Sequence, residues 1–132
     1  MTLVDTNILL DLTGAEAPRA EAAQLALERH GAAGPLAIND VVFAELSIGH
    51  GRIEACEAFV EALALRQEAL PRAALFLAGK AFLADRRRGV TKRGVLPDFL
   101  IGAQALETGW PLLTRDDGRY RLDFPTLALL AP

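Results

Sequence analysis

The chain has 132 residues, of which 52% are hydrophobic and 23% charged, and its formal net charge is −3. That size and balance suit one globular domain spanning residues 1–132, with a core of ordinary extent. A single cysteine, Cys56, excludes both an intrachain disulfide framework and a cysteine-based zinc site. No apolar run reaches the roughly 18 residues of a membrane helix and no signal-like segment opens the chain, so the expectation is a soluble, cytoplasmic protein without membrane contact.

Residues 2–5 read as a short buried strand that runs into a helix at Asp5, with Thr6 and Asn7 as capping residues before Ile8, Leu9 and Leu10. Gly14 ends that helix. Pro18 starts another, carried through Ala22, Ala23, Ala26 and Leu27 to Gly31. Residues 36–38 form a second strand, after which Asn39 or Asp40 caps a helix through Val42, Ala44, Glu45 and Ile48 to Gly49. The neighbours of Glu45 predict that this helix is largely buried. Residues 53–63 predict a helix whose face is Cys56, Phe59, Val60 and Leu63, and residues 65–70 a third strand.

Pro71 opens a long helix in which Leu75, Phe76, Phe82 and Leu83 are expected to pack in the core; it ends in Arg86, Arg87, Arg88 and Gly89. Residues 90–96 read as a loop. Pro97 and Asp98 begin a helix through Leu100, Ile101, Ala105 and Leu106, stopped by Gly109. Residues 111–114 are a strand, Asp116-Asp117-Gly118 a turn, and residues 127–130 a last strand. Strands alternating with helices predict an α/β sandwich of three layers, a central and mostly parallel sheet flanked by helices. In such sheets the carboxyl ends of the strands form the functional edge.

Asp5, Glu45, Asp98 and the pair Asp116 and Asp117 each lie inside or just after an apolar segment. A lone carboxylate there costs several kcal/mol to bury unless a positive charge compensates it. A hard divalent cation such as Mg²⁺ or Mn²⁺ takes oxygen ligands and would compensate all of them. Only His30 and His50 offer imidazoles, neither beside an acidic pair, which excludes a histidine-rich zinc site. Each acid also has an ordinary explanation: Asp5 and Asp98 stand where a helix cap stands, and Asp116 and Asp117 precede a turn glycine. Asp11, Asp40, Asp85 and Asp123 are assigned to caps, turns and surface.

The charge is unevenly spread. Residues 1–85 carry a balance of −6 and residues 86–132 one of +3. The excess gathers at Arg86, Arg87, Arg88, Lys92 and Arg93, with Arg115, Arg119 and Arg121 beyond. Such a run is commonly a solvated helix end; its functional reading is a rim for phosphate groups, which guanidinium pairs bidentately.

The strings Val4-Asp5-Thr6-Asn7-Ile8-Leu9-Leu10, Ala44-Glu45-Leu46, Leu96-Pro97-Asp98-Phe99-Leu100-Ile101-Gly102-Ala103 and Leu113-Thr114-Arg115-Asp116 resemble the PIN-domain nucleases, in particular the VapC-like toxins of toxin–antitoxin pairs. The four motifs follow the family's order over nearly the whole chain. The resemblance implies a PIN-like sandwich with Asp5, Glu45, Asp98 and Asp116 as the acidic quartet and Asn7 and Thr114 as accessory polar positions. It further implies Mg²⁺ or Mn²⁺ as cofactor, RNA as substrate, a cognate antitoxin as partner, and a homodimer.

On this reading the protein is a metal-dependent endoribonuclease. Asp5, Asp98 and Asp116 hold the cation, Glu45 positions the attacking water, and Asn7 and Thr114 hold the acids in place. Asp117 shares or replaces the part of Asp116. Arg86, Arg87, Arg88, Lys92, Arg93 and Arg115 are the candidate phosphate contacts. The alternative is a catalytically silent RNA-binding domain, or a Mg²⁺-binding signalling domain of similar architecture. A phosphoacceptor receiver domain needs an acidic pair near its start and a lysine after a late strand, and the chain has neither.

Overall fold

The computed structural model describes residues 1–89 and 96–132. Five short strands, β1 (Thr2–Val4), β2 (Leu36–Ile38), β3 (Leu65–Gln67), β4 (Leu112–Leu113) and β5 (Leu129–Leu130), form one sheet in the order β3-β2-β1-β4-β5. Every neighbouring pair is parallel. Among the described residues seven helices connect them: α1 (Thr6–Leu12), α2 (Ala17–Ala33), α3 (Asp40–Ser47), α4 (Ile53–Ala62), α5 (Arg72–Arg87), α6 (Leu96–Thr108) and α7 (Asp117–Asp123). The chain builds outward from β1 to β3, then crosses back to lay β4 against the free side of β1. The strand order therefore reverses between β1 and β4, and a crevice opens at their carboxyl ends.

Leu3, Val4, Ala37, Ile38, Leu112 and Leu113 fill the three central strands and are fully buried. Helices cover both faces of a parallel sheet, so its strands are apolar throughout instead of alternating. Complete burial of each large side chain contributes about 1.5–3 kcal/mol. The helix ends follow the capping residues: Asn39 accepts from the backbone N–H of Val42 at 2.9 Å, and Gly109, at φ 73, takes the left-handed turn that stops α6.

The structure differs from expectation at four places. In α5, Leu75, Phe76 and Leu83 face outward, and the buried positions are Ala74, Ala78 and Asp85. Small side chains allow α5 to lie close against α6, and this proximity, rather than side-chain size, selects the inward face. Phe82 does pack inward, edge-on to Phe99 at 5.6 Å. Asp85, read as a surface acid, is buried and lies 3.3 Å from Arg88. The third helix is only half covered, with Ile48 exposed at its end. Finally, Asp116-Asp117-Gly118 is not an isolated turn but the start of α7, on which Tyr120 and Phe124 pack over the glycine face of α6.

Candidate active site

The register of β1 against β4 sets the first part of the site. Val4 pairs with Leu113, and the next residues along, Asp5 and Thr114, leave the sheet side by side. The backbone N–H of Asp5 donates to the Leu113 carbonyl at 2.9 Å, and the Thr114 hydroxyl donates to Asp5 Oδ2 at 2.8 Å. Oδ1 of Asp5 accepts from the Thr6 N–H at 2.8 Å and so caps α1. Asn7 completes the arrangement: its amide nitrogen lies 3.2 Å from both Asp5 Oδ2 and Thr114 Oγ1, and its oxygen accepts from the Arg115 N–H. Thr114 Oγ1 also accepts from the N–H of Asp116 at 3.1 Å. Asn7 and Thr114 thus tie Asp5 to the start of the segment that carries Asp116.

The other acids arrive from helices. Asp98 stands in the first turn of α6, Asp116 occupies the N-cap position of α7 without a side-chain capping bond, and Glu45 projects from the last turn of α3. All four acids line one cleft of about 220 Å³. Glu45 is held there by the Thr6 hydroxyl, which donates to Oε1 at 2.7 Å. Thr6 had been legible only as a capping residue; its bond to a helix 39 residues away depends on the tertiary fold.

Burial raises the Asp5 carboxyl from 3.8 to about 6; the Thr114 hydroxyl pulls against that rise, and the charge of Asp98 adds to it. Tyr120, from α7, lines the same cleft with its ring fully buried. Its hydroxyl lies near enough to Asp5 to favour the ionised acid, yet no acceptor among the described residues meets it in hydrogen-bond geometry. Burial and the nearby charges of Asp5 and Asp98 keep the phenol protonated.

Arg119, from α7, lines the same cleft. Its guanidinium donates to Asp98 Oδ2 and lies 3.5 Å from Asp116 Oδ2. The bond to Asp98 holds its proton more firmly than usual. No three His, Cys, Asp or Glu side chains among the described residues draw together closely enough to hold a metal ion. The chemistry of the donor set nonetheless suits a hard cation: four carboxylates, no imidazole or thiol, and one acid whose buried charge is poorly compensated.

The remaining candidates divide. Asp117 is exposed and pairs with Arg121 at 3.2 Å, outside the cleft lining. Arg115 lines the cleft, but its guanidinium is held by Asp11 through two bonds of 2.6 and 3.1 Å. Arg88 bridges Asp85 at 3.3 Å and Asp123 at 2.6 Å, joining α5 to α7. Arg86 lies over the Phe82 ring at 5.9 Å, and Arg87 is exposed at the end of α5. None of these three arginines lines the cleft. Lys92 and Arg93 lie outside the described residues. No described helix is long and apolar enough to cross a membrane.

A family model described as the PIN domain matches residues 2–125. In fold the chain is similar to one in the VapBC2 complex of Rickettsia felis bound to a promoter DNA fragment, at 19% identity and a TM-score of 0.75, covering 98% of this chain and 97% of that one. A toxin–antitoxin complex from Klebsiella pneumoniae contains a chain 25% identical, with a TM-score of 0.65 and coverage of 98% and 96%. VapC20 of Mycobacterium tuberculosis, a toxin that cleaves the sarcin-ricin loop, is 20% identical with a TM-score of 0.56, covering 85% and 87%. No curated protein matches the chain significantly in sequence.

Proposed function

The chain belongs to the PIN domain family, and from that premise we propose that it is a metal-dependent endoribonuclease, the toxin of a toxin–antitoxin pair. The observation that carries this reading is the convergence of Asp5, Glu45, Asp98 and Asp116, from four separate parts of the chain, on one cleft at the sheet's switch point. Structural acids on unrelated helices have no reason to share a cleft, where their like charges repel.

Asp5, Asp98 and Asp116 would hold Mg²⁺ or Mn²⁺. Bound there, the ion supplies positive charge that acidifies water and neutralises charge developing on phosphoryl oxygens. Glu45, fixed by Thr6, faces the cleft and orients the attacking water. Asn7 and Thr114 keep Asp5 in one rotamer through the bonds described above, which is how residues behind a ligand set its aim. Arg115 at the cleft wall and Arg86 and Arg87 at the end of α5 are proposed to contact the RNA backbone. Arg88 could join them only by leaving two acids. Replacement of Arg86 and Arg87 by Ala is expected to weaken RNA binding and flatten its salt dependence; an unchanged salt slope rejects that assignment.

The toxin role rests on fold likeness to chains from VapBC and toxin–antitoxin complexes. A cognate antitoxin would cover the acidic cleft inside the cell, and co-purification with a small DNA-binding protein from the native operon is the expected sign. Consistent isolation of the toxin alone counts against it. A homodimer is also proposed, formed through the outward apolar face of α5.

The central test is incubation of purified protein with a total-RNA pool in Mg²⁺, in Mn²⁺ and in EDTA, beside Asp5→Asn. Cutting at discrete sites, dependent on the cation and reduced about 10²-fold or more by the substitution, is expected. A folded, partner-free protein that cuts nothing returns the silent RNA-binding domain as the better reading.

A further inference from the structure

We propose that Arg119 is a built-in counter-cation of the carboxylate cleft, occupying the place of the divalent ion in the metal-free protein and yielding it when the ion binds. The inference rests on the metal-binding reading above and concerns a residue outside every motif that supports that reading. Its basis is the way the cations around the cleft are distributed. Arg115 is held by Asp11, Arg121 by Asp117, and Arg88 by Asp85 and Asp123, so each of these cations has an acid outside the quartet. Arg119 alone among them is set on the quartet itself, bridging Asp98 and Asp116.

The two occupants compete for the same atoms. An ion held by Asp98 and Asp116 must contact carboxylate oxygens that the guanidinium now engages, so binding the ion displaces Arg119 from them. Among the described residues no three acids meet around a point, and the guanidinium spans two of the quartet. Arg119 is exposed enough to move. Its side chain is 41% exposed; water screens its contact with Asp116, itself 44% exposed, while the bond to Asp98, 19% exposed, is the one the ion has to displace. A divalent ion with twice the charge and no side-chain entropy to lose competes well against it.

The arrangement has a consequence for stability as well as for affinity. Without the ion, Arg119 offsets repulsion among the acids; with it, the guanidinium is redundant. Removing Arg119 should therefore tighten metal binding while loosening the metal-free fold, a pairing of effects that loss of a purely structural ion pair would not produce.

The test is titration of Mn²⁺ into EDTA-stripped, partner-free protein, with free ion followed by electron paramagnetic resonance. It is run on the natural protein, Arg119→Gln, Arg119→Lys and Asp5→Asn, and thermal unfolding of each is recorded in EDTA and in Mn²⁺. Arg119→Gln is expected to bind at least about fivefold more tightly than the natural protein, with Arg119→Lys between them. It should also melt lower in EDTA and recover in Mn²⁺. If Arg119→Gln is too unstable to titrate, Arg119→Lys keeps the comparison. Equal or weaker binding by the Arg119 variants, with Asp5→Asn still abolishing binding, overturns the proposal and leaves the metal site standing. No saturable binding by any of the four overturns the proposal together with the metal-binding reading.

Discussion

Asp5→Asn is expected to stabilise the metal-free protein at neutral pH while abolishing its activity. Burial holds native Asp5 at about 6, whereas the unfolded chain retains 3.8. The folded value is the higher one, so the fold favours the protonated acid. That contribution is complete below about pH 4 and is lost as pH rises through about 6. The shift corresponds to about 3 kcal/mol by pH 7, of which only ~0.5 has been lost at pH 4. Asparagine does not titrate, so the variant escapes the loss. Its amide also disturbs the bonds from Thr114 and Asn7, but that effect does not depend on pH and cancels when the two proteins are compared across a pH series.

The assay is urea unfolding in EDTA, followed by circular dichroism, at steps from about pH 4 to pH 7. The stability difference should move by about 2–3 kcal/mol in favour of Asp5→Asn over that window, equivalent to a melting shift on the order of 10 °C for a domain of this size. Saturating Mn²⁺ should then raise the natural protein alone, since the variant lacks one of the three acids proposed to hold the ion. A difference that stays flat across the window, or grows in favour of the natural protein, refutes the reasoning: Asp5 would not be a poorly solvated charge.

Gly102→Ala should destabilise by about 1–3 kcal/mol or more in thermal unfolding, because a Cβ there would stand 2.4 and 2.6 Å from the buried Phe124 ring and 3.1 Å from Tyr120. A melting point within error of the natural protein would mean that α7 can move away from α6. Thr6→Val preserves volume but releases Glu45 from its 2.7 Å bond; cleavage is expected to fall about 10-fold to 100-fold with KM little changed. Unaltered cleavage would remove Glu45 orientation from the mechanism. Phe76→Ser, at a side chain 68% exposed, should leave monomer stability within about 0.5 kcal/mol while weakening dimerisation in sedimentation, and an unaffected dimer would place the interface elsewhere.

The local elements were legible because their ends are written in chemically distinctive residues. Asn39 before Val42 and Gly109 after Thr108 mark helix limits through bonds and dihedral angles that depend on few neighbours. The face of α5 was not, because apolar periodicity points to the large residues whereas contact with α6 uses Ala74 and Ala78. The seventh helix was missed for a related reason. Asp-Asp-Gly has the composition of a turn, and what makes it a helix start is the packing of Tyr120 and Phe124 on Gly102, together with the Asp117 to Arg121 pair one turn along. The acids of the cleft were legible as motifs, but Arg119 and Tyr120 were not, since they reach the cleft only because α7 forms.

Three of the four acids share a further feature that bears on how like charges are kept together. Asp5 caps α1, Asp116 holds the N-cap position of α7 and Asp98 sits in the first turn of α6, so each stands at the positive end of a helix. Each end carries about half a positive charge, so the four carboxylates of the cleft are offset by roughly +1.5 and a balance of roughly −2.5 remains. Arg119 reduces that to roughly −1.5. A divalent ion in its place would carry the balance to roughly −0.5, a smaller repulsion toward a phosphodiester. Glu45, at the other end of its helix, receives no such support and is held by the Thr6 hydroxyl instead. The exchange of Arg119 for a metal would therefore lessen the cleft's repulsion of RNA, which ties substrate binding to the same cation that the chemistry needs.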